Sequence, residues 1–95
     1  MPEMRFTIRW PDGTVEGCYS PSLVIKDYLV PGESYKLLEF LEKSREALTI
    51  ASARVEARYG FPCSRALGQL ARIEAAGRTF AALPDARVAV EAFDE

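Results

Sequence analysis

At 95 residues the chain has the length of one small domain, and its 48% hydrophobic and 27% charged residues are ordinary for a globular protein. The net charge of −2 argues against non-specific binding to nucleic acid or to an anionic membrane, since both require a positive field. The absence of histidine excludes Ser-His and Cys-His nucleophile pairs and removes the commonest zinc ligand. We therefore predict a single domain over residues 1–95 without a metal or a cofactor.

The cysteines and the apolar runs predict the compartment. The chain has two cysteines, Cys18 and Cys63, and a secreted disulfide scaffold usually carries more. Both are therefore predicted to be reduced thiols in or near the core. No apolar run approaches the ~20 residues that span a bilayer, and residues 1–5 lack the apolar stretch of a secretory signal. A cytoplasmic protein without membrane association is expected.

The first elements are predicted to form a β-hairpin. Apolar and polar side chains alternate strictly over residues 4–10, which is the period of a half-buried strand. The following PDG sequence is typical of a tight turn, and residues 14–19 predict the return strand. One face of that return strand carries Val15, Gly17 and Tyr19. Trp10 and Tyr19 are expected to face inward, as core residues or as the lining of a pocket.

Two interpretations remain open for residues 21–29. Ser20 followed by Pro21 fits the N-cap and the first position of a short helix. A third strand through residues 23–25 (LVI) is the alternative, because these residues are apolar and partly β-branched. The PG sequence at residues 31–32 ends whichever element forms.

A long amphipathic helix is predicted over residues 34–59, with Ser34 as N-cap and Gly60 as its stop. Its apolar stripe consists of Leu37, Leu41, Leu48, Ala51 and Val55, flanked by Phe40 and Ala47. Ser44 lies inside this stripe, where its hydroxyl can bond to the carbonyl one turn earlier. At about 37 Å the helix is longer than such a domain is wide, so it either overhangs the domain or curves or frays at its ends. An overhang with Ile50 exposed on the polar face would suit a partner surface.

A second helix is predicted to begin with Pro62 or Cys63 in its first turn. Its buried stripe consists of Ala66, Leu70, Ile73, Gly77 and Phe80. Gly77 permits close approach of another element, because it has no side chain. Residues 86–93 alternate again and predict a last strand. One face of that strand carries Val88, Val90 and Ala92.

These elements predict an α+β fold. The N-terminal hairpin and the C-terminal strand form a small three-stranded sheet, which a helical hairpin covers on one face. The opposite face, with Arg5, Thr7 and Arg9, is left open to solvent or to a partner.

Two short segments supply most of the candidate site. Residues 17–22 place a thiol, a phenol and two hydroxyls close together, and amides behind a Ser20 cap could hold an anion. A strand end followed by a helix cap is the structural alternative. Cys63 lies at a helix start, where the dipole and Arg65 would lower its pKa, and folding could bring it near Cys18. The candidate binding residues are Trp10, Cys18, Tyr19, Ser20, Ser22, Cys63, Ser64 and Arg65.

Four stretches together resemble a known family. They are residues 9–13 (RWPDG), 18–22 (CYSPS), 47–52 (ALTIAS) and 59–66 (YGFPCSRA). In order and spacing they resemble a nitrogen-starvation response family of small bacterial proteins encoded in nitrilase-type gene clusters. The resemblance implies a role in assimilating nitrogen from nitriles or cyanide, alongside a nitrilase-like hydrolase and other enzymes. It supplies no catalytic residues.

Three functions follow as hypotheses. The first is a non-enzymatic accessory protein that contacts a pathway enzyme or a second copy of itself, and the missing histidine favours it. The second is a small thiol-dependent enzyme or carrier that uses Cys18 or Cys63. The third is a homodimeric ligand sensor, which a ligand-induced thermal shift would reveal.

Overall fold

The computed structural model describes residues 2–95 and contains one antiparallel sheet of four strands, in the order β2-β1-β4-β3, with two α-helices. The elements are β1 (Met4–Arg9), β2 (Val15–Ser20), a 3₁₀ helix (Leu23–Asp27), β3 (Ser34–Lys36), α1 (Leu37–Tyr59), α2 (Ser64–Thr79) and β4 (Arg87–Asp94). The α+β class, the hairpin and the two helices are confirmed. The predicted three-stranded sheet is wrong, because it lacks β3.

The turn between β1 and β2 forms as its sequence predicts. Gly13 has a φ of 90°, which a residue without a side chain adopts freely, and its N–H donates to the Trp10 carbonyl at 2.8 Å. Asp12 accepts a hydrogen bond from the backbone N–H of Thr14 at 2.9 Å. That bond stabilises the ionised carboxyl and lowers the pKa of Asp12.

The buried face of β2 is the one opposite to the face predicted. Cys18 pairs with Phe6 and both are buried, whereas Tyr19 pairs with the exposed Arg5 and is itself half-buried. Directly opposed residues of an antiparallel pair share a face, so the strong pattern of β1 fixes the orientation of β2. The prediction that Trp10 faces the core is confirmed, but the same prediction for Tyr19 is wrong.

Residues 21–29 contain a 3₁₀ helix, so the helical interpretation is confirmed in a shorter form and the third strand through residues 23–25 is wrong. The N-cap is Ser22 rather than Ser20, since the Ser22 Oγ accepts the Val24 N–H at 3.2 Å. Pro21 therefore precedes the helix instead of opening it.

The long helix begins later than predicted. Ser34 belongs to β3, where Tyr35 pairs with Val88 of β4, so it is not the N-cap. Lys36 occupies the cap position without a side-chain bond, and the first helical N–H, of Leu37, donates to the Ala86 carbonyl at 3.0 Å. A backbone partner from a distant loop thus replaces the expected serine cap.

Most of the predicted stripe of α1 faces the core, but Leu41 and Val55 are only half-buried. The buried residues of α1 are Leu37, Phe40, Ser44, Ala47, Leu48, Ala51 and Ser52. The Ser44 hydroxyl has no hydrogen-bond partner within residues 2–95, so the expected bond to the preceding turn is not made. Ile50 is half-buried rather than exposed. The molecule measures 42 × 23 × 18 Å, so a helix of about 34 Å lies along its longest dimension.

Helix α2 begins at Ser64, with Cys63 as its N-cap, so Pro62 precedes the helix rather than joining its first turn. The predicted stripe is buried through Gly77, and Phe80 is half-buried at the C-cap. Gly77 allows the two helices to approach closely, since a Cβ added there would lie 2.8 Å from a Leu41 Cδ atom. No helix in residues 2–95 combines the length and apolarity needed to cross a bilayer.

Two glycines of α2 provide a matched test of this close approach. Gly68→Ala should raise the free energy of unfolding by about 0.5–1 kcal/mol, because no neighbour lies within 4 Å of an added Cβ and alanine favours helix. Gly77→Ala should raise it less or not at all, because the added Cβ would meet the Cδ atoms of the half-buried Leu41, whose side chain must shift to make room. Urea unfolding of both variants measures the difference. Equal stabilisation by both would show that Leu41 gives way without cost.

Strand β4 contains a bulge that reverses its side-chain alternation. Ile8 pairs with Val90 but Thr7 pairs with Ala92, which leaves Glu91 as the extra residue. Val88 and Val90 are buried as predicted, but Ala92 is exposed. Phe93, beyond the bulge, packs against the core in its place.

Candidate functional site

The predicted site residues do not form one site, although Ser20 contacts Ser22 and Tyr19 contacts Arg65. Trp10 belongs to an aromatic cluster between the sheet and both helices, stacked on Phe80 at 5.8 Å and edge-on to Phe40 at 5.9 Å between ring centroids. Its Nε1–H donates to Glu16 at 2.9 Å, and Glu16 also contacts Arg72 at 3.5 Å. With 4% of its surface exposed, Trp10 belongs to the core and offers almost no surface to a ligand.

Ser20 and Ser22 form a buried network at the end of β2. The Ser20 hydroxyl donates to the Ser22 carbonyl at 2.7 Å and accepts the Ser22 N–H at 3.3 Å. The Ser22 hydroxyl accepts the N–H of Val24 and a guanidinium N–H of Arg54, the latter at 3.0 Å. Two of the amides expected to hold an anion are therefore occupied by side chains of the chain itself.

The fold brings Tyr19 on β2 into contact with Arg65 and Gln69 on α2. The Arg65 guanidinium lies 3.8 Å from the centre of the Tyr19 ring, which is a cation–π contact. The Tyr19 hydroxyl donates to Glu3 at 3.0 Å, and its backbone N–H donates to the Gln69 side chain at 3.0 Å. Partial burial, followed by the bond to Glu3, raises the pKa of Tyr19.

The two cysteines are free thiols with different surroundings. Cys18 is fully buried, and burial, assisted by the Glu16 charge, raises the pKa of its thiol to about 12. Cys63 is half-buried at the start of α2, where its backbone N–H donates to the Ser52 hydroxyl at 3.2 Å. Ser64, next to it, is exposed. Of these two thiols, Cys63 is the one that a reagent or substrate can reach.

The sequence did not predict a surface groove that lies at the end of the helical pair away from Cys63. Its cavity volume is about 510 Å³, and an adjoining cleft of about 350 Å³ shares Leu38, Leu41 and Arg78 with it. The groove is formed by the start of α1, the end of α2 and the loop before β4, and is mainly apolar. Its lining includes Lys36, Leu38, Leu41, Arg78, Leu83, Asp85 and Arg87.

A second apolar surface lies where α1 turns into α2. We name Tyr59, Phe61 and Leu67 the hairpin tip, and they expose 54%, 64% and 43% of their surfaces. Residues 56–62 are all exposed, so this end of the helical pair projects into solvent. Arg58 lies 5.7 Å from the centre of the Tyr59 ring.

Comparison with known proteins identifies the family. The family model described as nitrogen starvation-induced protein NitG matches residues 5–93. The chain belongs to this family. The predicted resemblance to a nitrogen-starvation family is thereby confirmed, and the groove and hairpin tip of this NitG-family chain both lie within the match. No curated protein and no solved structure matches the chain.

Proposed function

We propose that this NitG-family chain is an accessory protein of the nitrogen-starvation response that acts by binding an enzyme of that response. The exposed aromatic side chains of the hairpin tip support this most strongly. Tyrosine, tryptophan and arginine are enriched among the residues that dominate protein–protein binding energies, and Arg58 stands beside Tyr59 here. The tip also projects from the body of the domain, so a partner can reach it without unfolding the core.

The partner that we propose is an enzyme that releases nitrogen from nitriles or cyanide, as the sequence resemblance implies. We place the complex in the cytoplasm, because a small secreted domain usually relies on disulfides and both thiols here are free. In this proposal the chain contributes surface and no chemistry of its own. The thiol-dependent alternative would have to use Cys63, since Cys18 is buried.

Affinity purification from nitrogen-starved cells of the source organism tests this proposal. The tagged wild type is expected to retain one enzyme of nitrogen metabolism, and the complex should re-form from the two purified proteins. The double substitution Tyr59→Ser with Phe61→Ser should weaken that binding about tenfold or more, because it truncates both aromatic side chains.

Val15→Ser is the matched control, since it removes an exposed apolar side chain from the β-hairpin, away from the tip. It should bind the enzyme as the wild type does. Failure to retain any such enzyme at micromolar concentration would contradict the proposal, as would undiminished binding by the tip variant. Binding only to a second copy of the chain would also contradict it.

A ligand sensor is the second candidate function, and the groove favours it. Small-molecule sites commonly have volumes of about 300–1,000 Å³, mainly apolar walls and a few polar groups. The groove has these properties and lies at the opposite end of α1 from the hairpin tip, about 30 Å away along that helix.

A further inference from the structure

The groove keeps apolar side chains in contact with water. Leu38, on the outward side of α1, exposes 74% of its surface, and Leu83, in the loop before β4, exposes 50%. Leu41, which lies beside Gly77 where the helices meet, also lines the groove. Burying such surface against an apolar ligand is favourable, because it removes apolar area from water.

The charge at the rim of the groove is positive. Lys36, Arg78 and Arg87 line it, against the single carboxylate of Asp85, so the local balance is +2 in a chain of net charge −2. Within residues 2–95, none of these three cations has a carboxylate within 4.0 Å. Their charge is therefore available to an incoming group.

Two features determine the geometry of this rim. The Arg87 guanidinium donates to the hydroxyl and the carbonyl of Ser34, at 3.0 and 2.9 Å, which leaves its charge unneutralised but fixes its position. Asp85 has a φ of 57°, in the left-handed region that aspartate and asparagine tolerate better than most residues. The loop therefore turns sharply at the edge of the groove.

We propose that the groove binds a small organic anion with an apolar body, whose carboxylate or similar head lies among Lys36, Arg78 and Arg87. The apolar body would lie against Leu38, Leu41 and Leu83. Charge complementarity selects this class over an uncharged apolar ligand and over a cation. This site goes beyond the proposed enzyme contact, since it uses a different surface and does not depend on that contact.

Fluorescence titration at low ionic strength tests the proposal. The probe is 8-anilinonaphthalene-1-sulfonate, and its uncharged analogue is N-phenyl-1-naphthylamine. The anion should bind saturably and at least about threefold more tightly than the analogue, in keeping with the modest strength of exposed charge interactions. Decanoate should displace it more effectively than 1-decanol does.

Four variants locate the binding. Arg78→Gln should weaken the anion's binding about three- to fivefold, and Asp85→Asn, which tolerates the same backbone angle, should tighten it about two- to threefold. Leu38→Glu should weaken it about tenfold or more, since it puts a carboxylate on the apolar wall. Arg5→Gln, on the open face of the sheet, changes the net charge by the same amount as Arg78→Gln and should not change the anion's binding.

Several results would overturn the proposal. Unchanged binding in the Arg78, Asp85 and Leu38 variants would do so, and so would an equal loss in Arg5→Gln, which would show a response to net charge alone. Loss of probe binding in the Tyr59→Ser, Phe61→Ser variant would place the probe at the hairpin tip instead. Enzyme retention tests the hairpin tip and probe titration tests the groove. A negative result in one experiment therefore does not decide the other proposal.

Discussion

Replacing Trp10 with alanine should lower the free energy of unfolding by about 3–5 kcal/mol, which is the usual cost of deleting a large buried aromatic side chain. Trp10 is 4% exposed and contacts the rings of Phe40 on α1 and Phe80 after α2. A cavity at this position therefore loosens the sheet from both helices at once. Since small domains are stable by only about 5–15 kcal/mol, Trp10→Ala should unfold at a much lower urea concentration.

Trp10→Phe separates packing from hydrogen bonding at the same position. It keeps an aromatic ring against Phe80 but removes the N–H that Glu16 accepts, so a smaller loss of about 1–2 kcal/mol is expected. Urea unfolding followed by circular dichroism measures both variants. A loss below 1 kcal/mol for the alanine variant would show that the surrounding side chains refill the site without cost.

The two thiols should differ strongly in reactivity. With a pKa raised to about 12, the Cys18 thiolate at pH 8 is about 10³-fold scarcer than that of an ordinary cysteine, and burial adds a steric barrier. Iodoacetamide should therefore label Cys63 in the folded protein and leave Cys18 untouched, as mass spectrometry of peptides would show. Rapid native labelling of Cys18 would contradict its placement in the core.

The same raised pKa makes stability depend on alkaline pH. In the unfolded chain Cys18 ionises near the reference value of 9.0, but in the folded protein it keeps its proton until about pH 12. The unfolded state therefore binds fewer protons between these values, and stability should fall with rising pH by up to about 1.4 kcal/mol per unit. Below about pH 9 Cys18 is protonated in both states and adds no pH dependence of its own.

Cys18→Ala supplies the control for this dependence. It lacks the ionising group, so the difference in unfolding free energy between it and the wild type should shrink as pH rises from 9 to 11. Cys63→Ala should show the wild-type dependence on pH, because it retains Cys18. Parallel pH profiles for wild type and Cys18→Ala would show that burial of Cys18 does not raise its pKa.

Local patterns predict much of this fold. The alternation of residues 4–10 is strong enough to identify β1 and its inward face, and the apolar spacing of α2 identifies the stripe that meets α1 at Gly77. Strand β3 escapes prediction because three residues are too few to show a period, and its pairing with β4 depends on a partner some 50 positions away. The bulge at Glu91 likewise depends on the pairing with β1.

The candidate site was less predictable. Residues 17–22 combine a thiol, a phenol and two hydroxyls, but in the folded protein the Ser20 and Ser22 hydroxyls bond to backbone groups. The groove was missed because Leu38 and Leu83 are far apart in the sequence, and neither belongs to a periodic stripe. An exposed leucine on the polar side of a helix was the signal available, and it identifies a surface only after folding brings the loop beside it.

The Gln69 bond to the main chain of Tyr19 bears on how copies of this protein can meet. Tyr19 lies on β2, an outer strand of the sheet, and such strands readily recruit a strand from another molecule. Here an added strand would first have to displace a side chain of α2, and the opposite margin, β3, offers only three residues. Continuous β-pairing between copies is therefore disfavoured at this end of β2 and along the short β3.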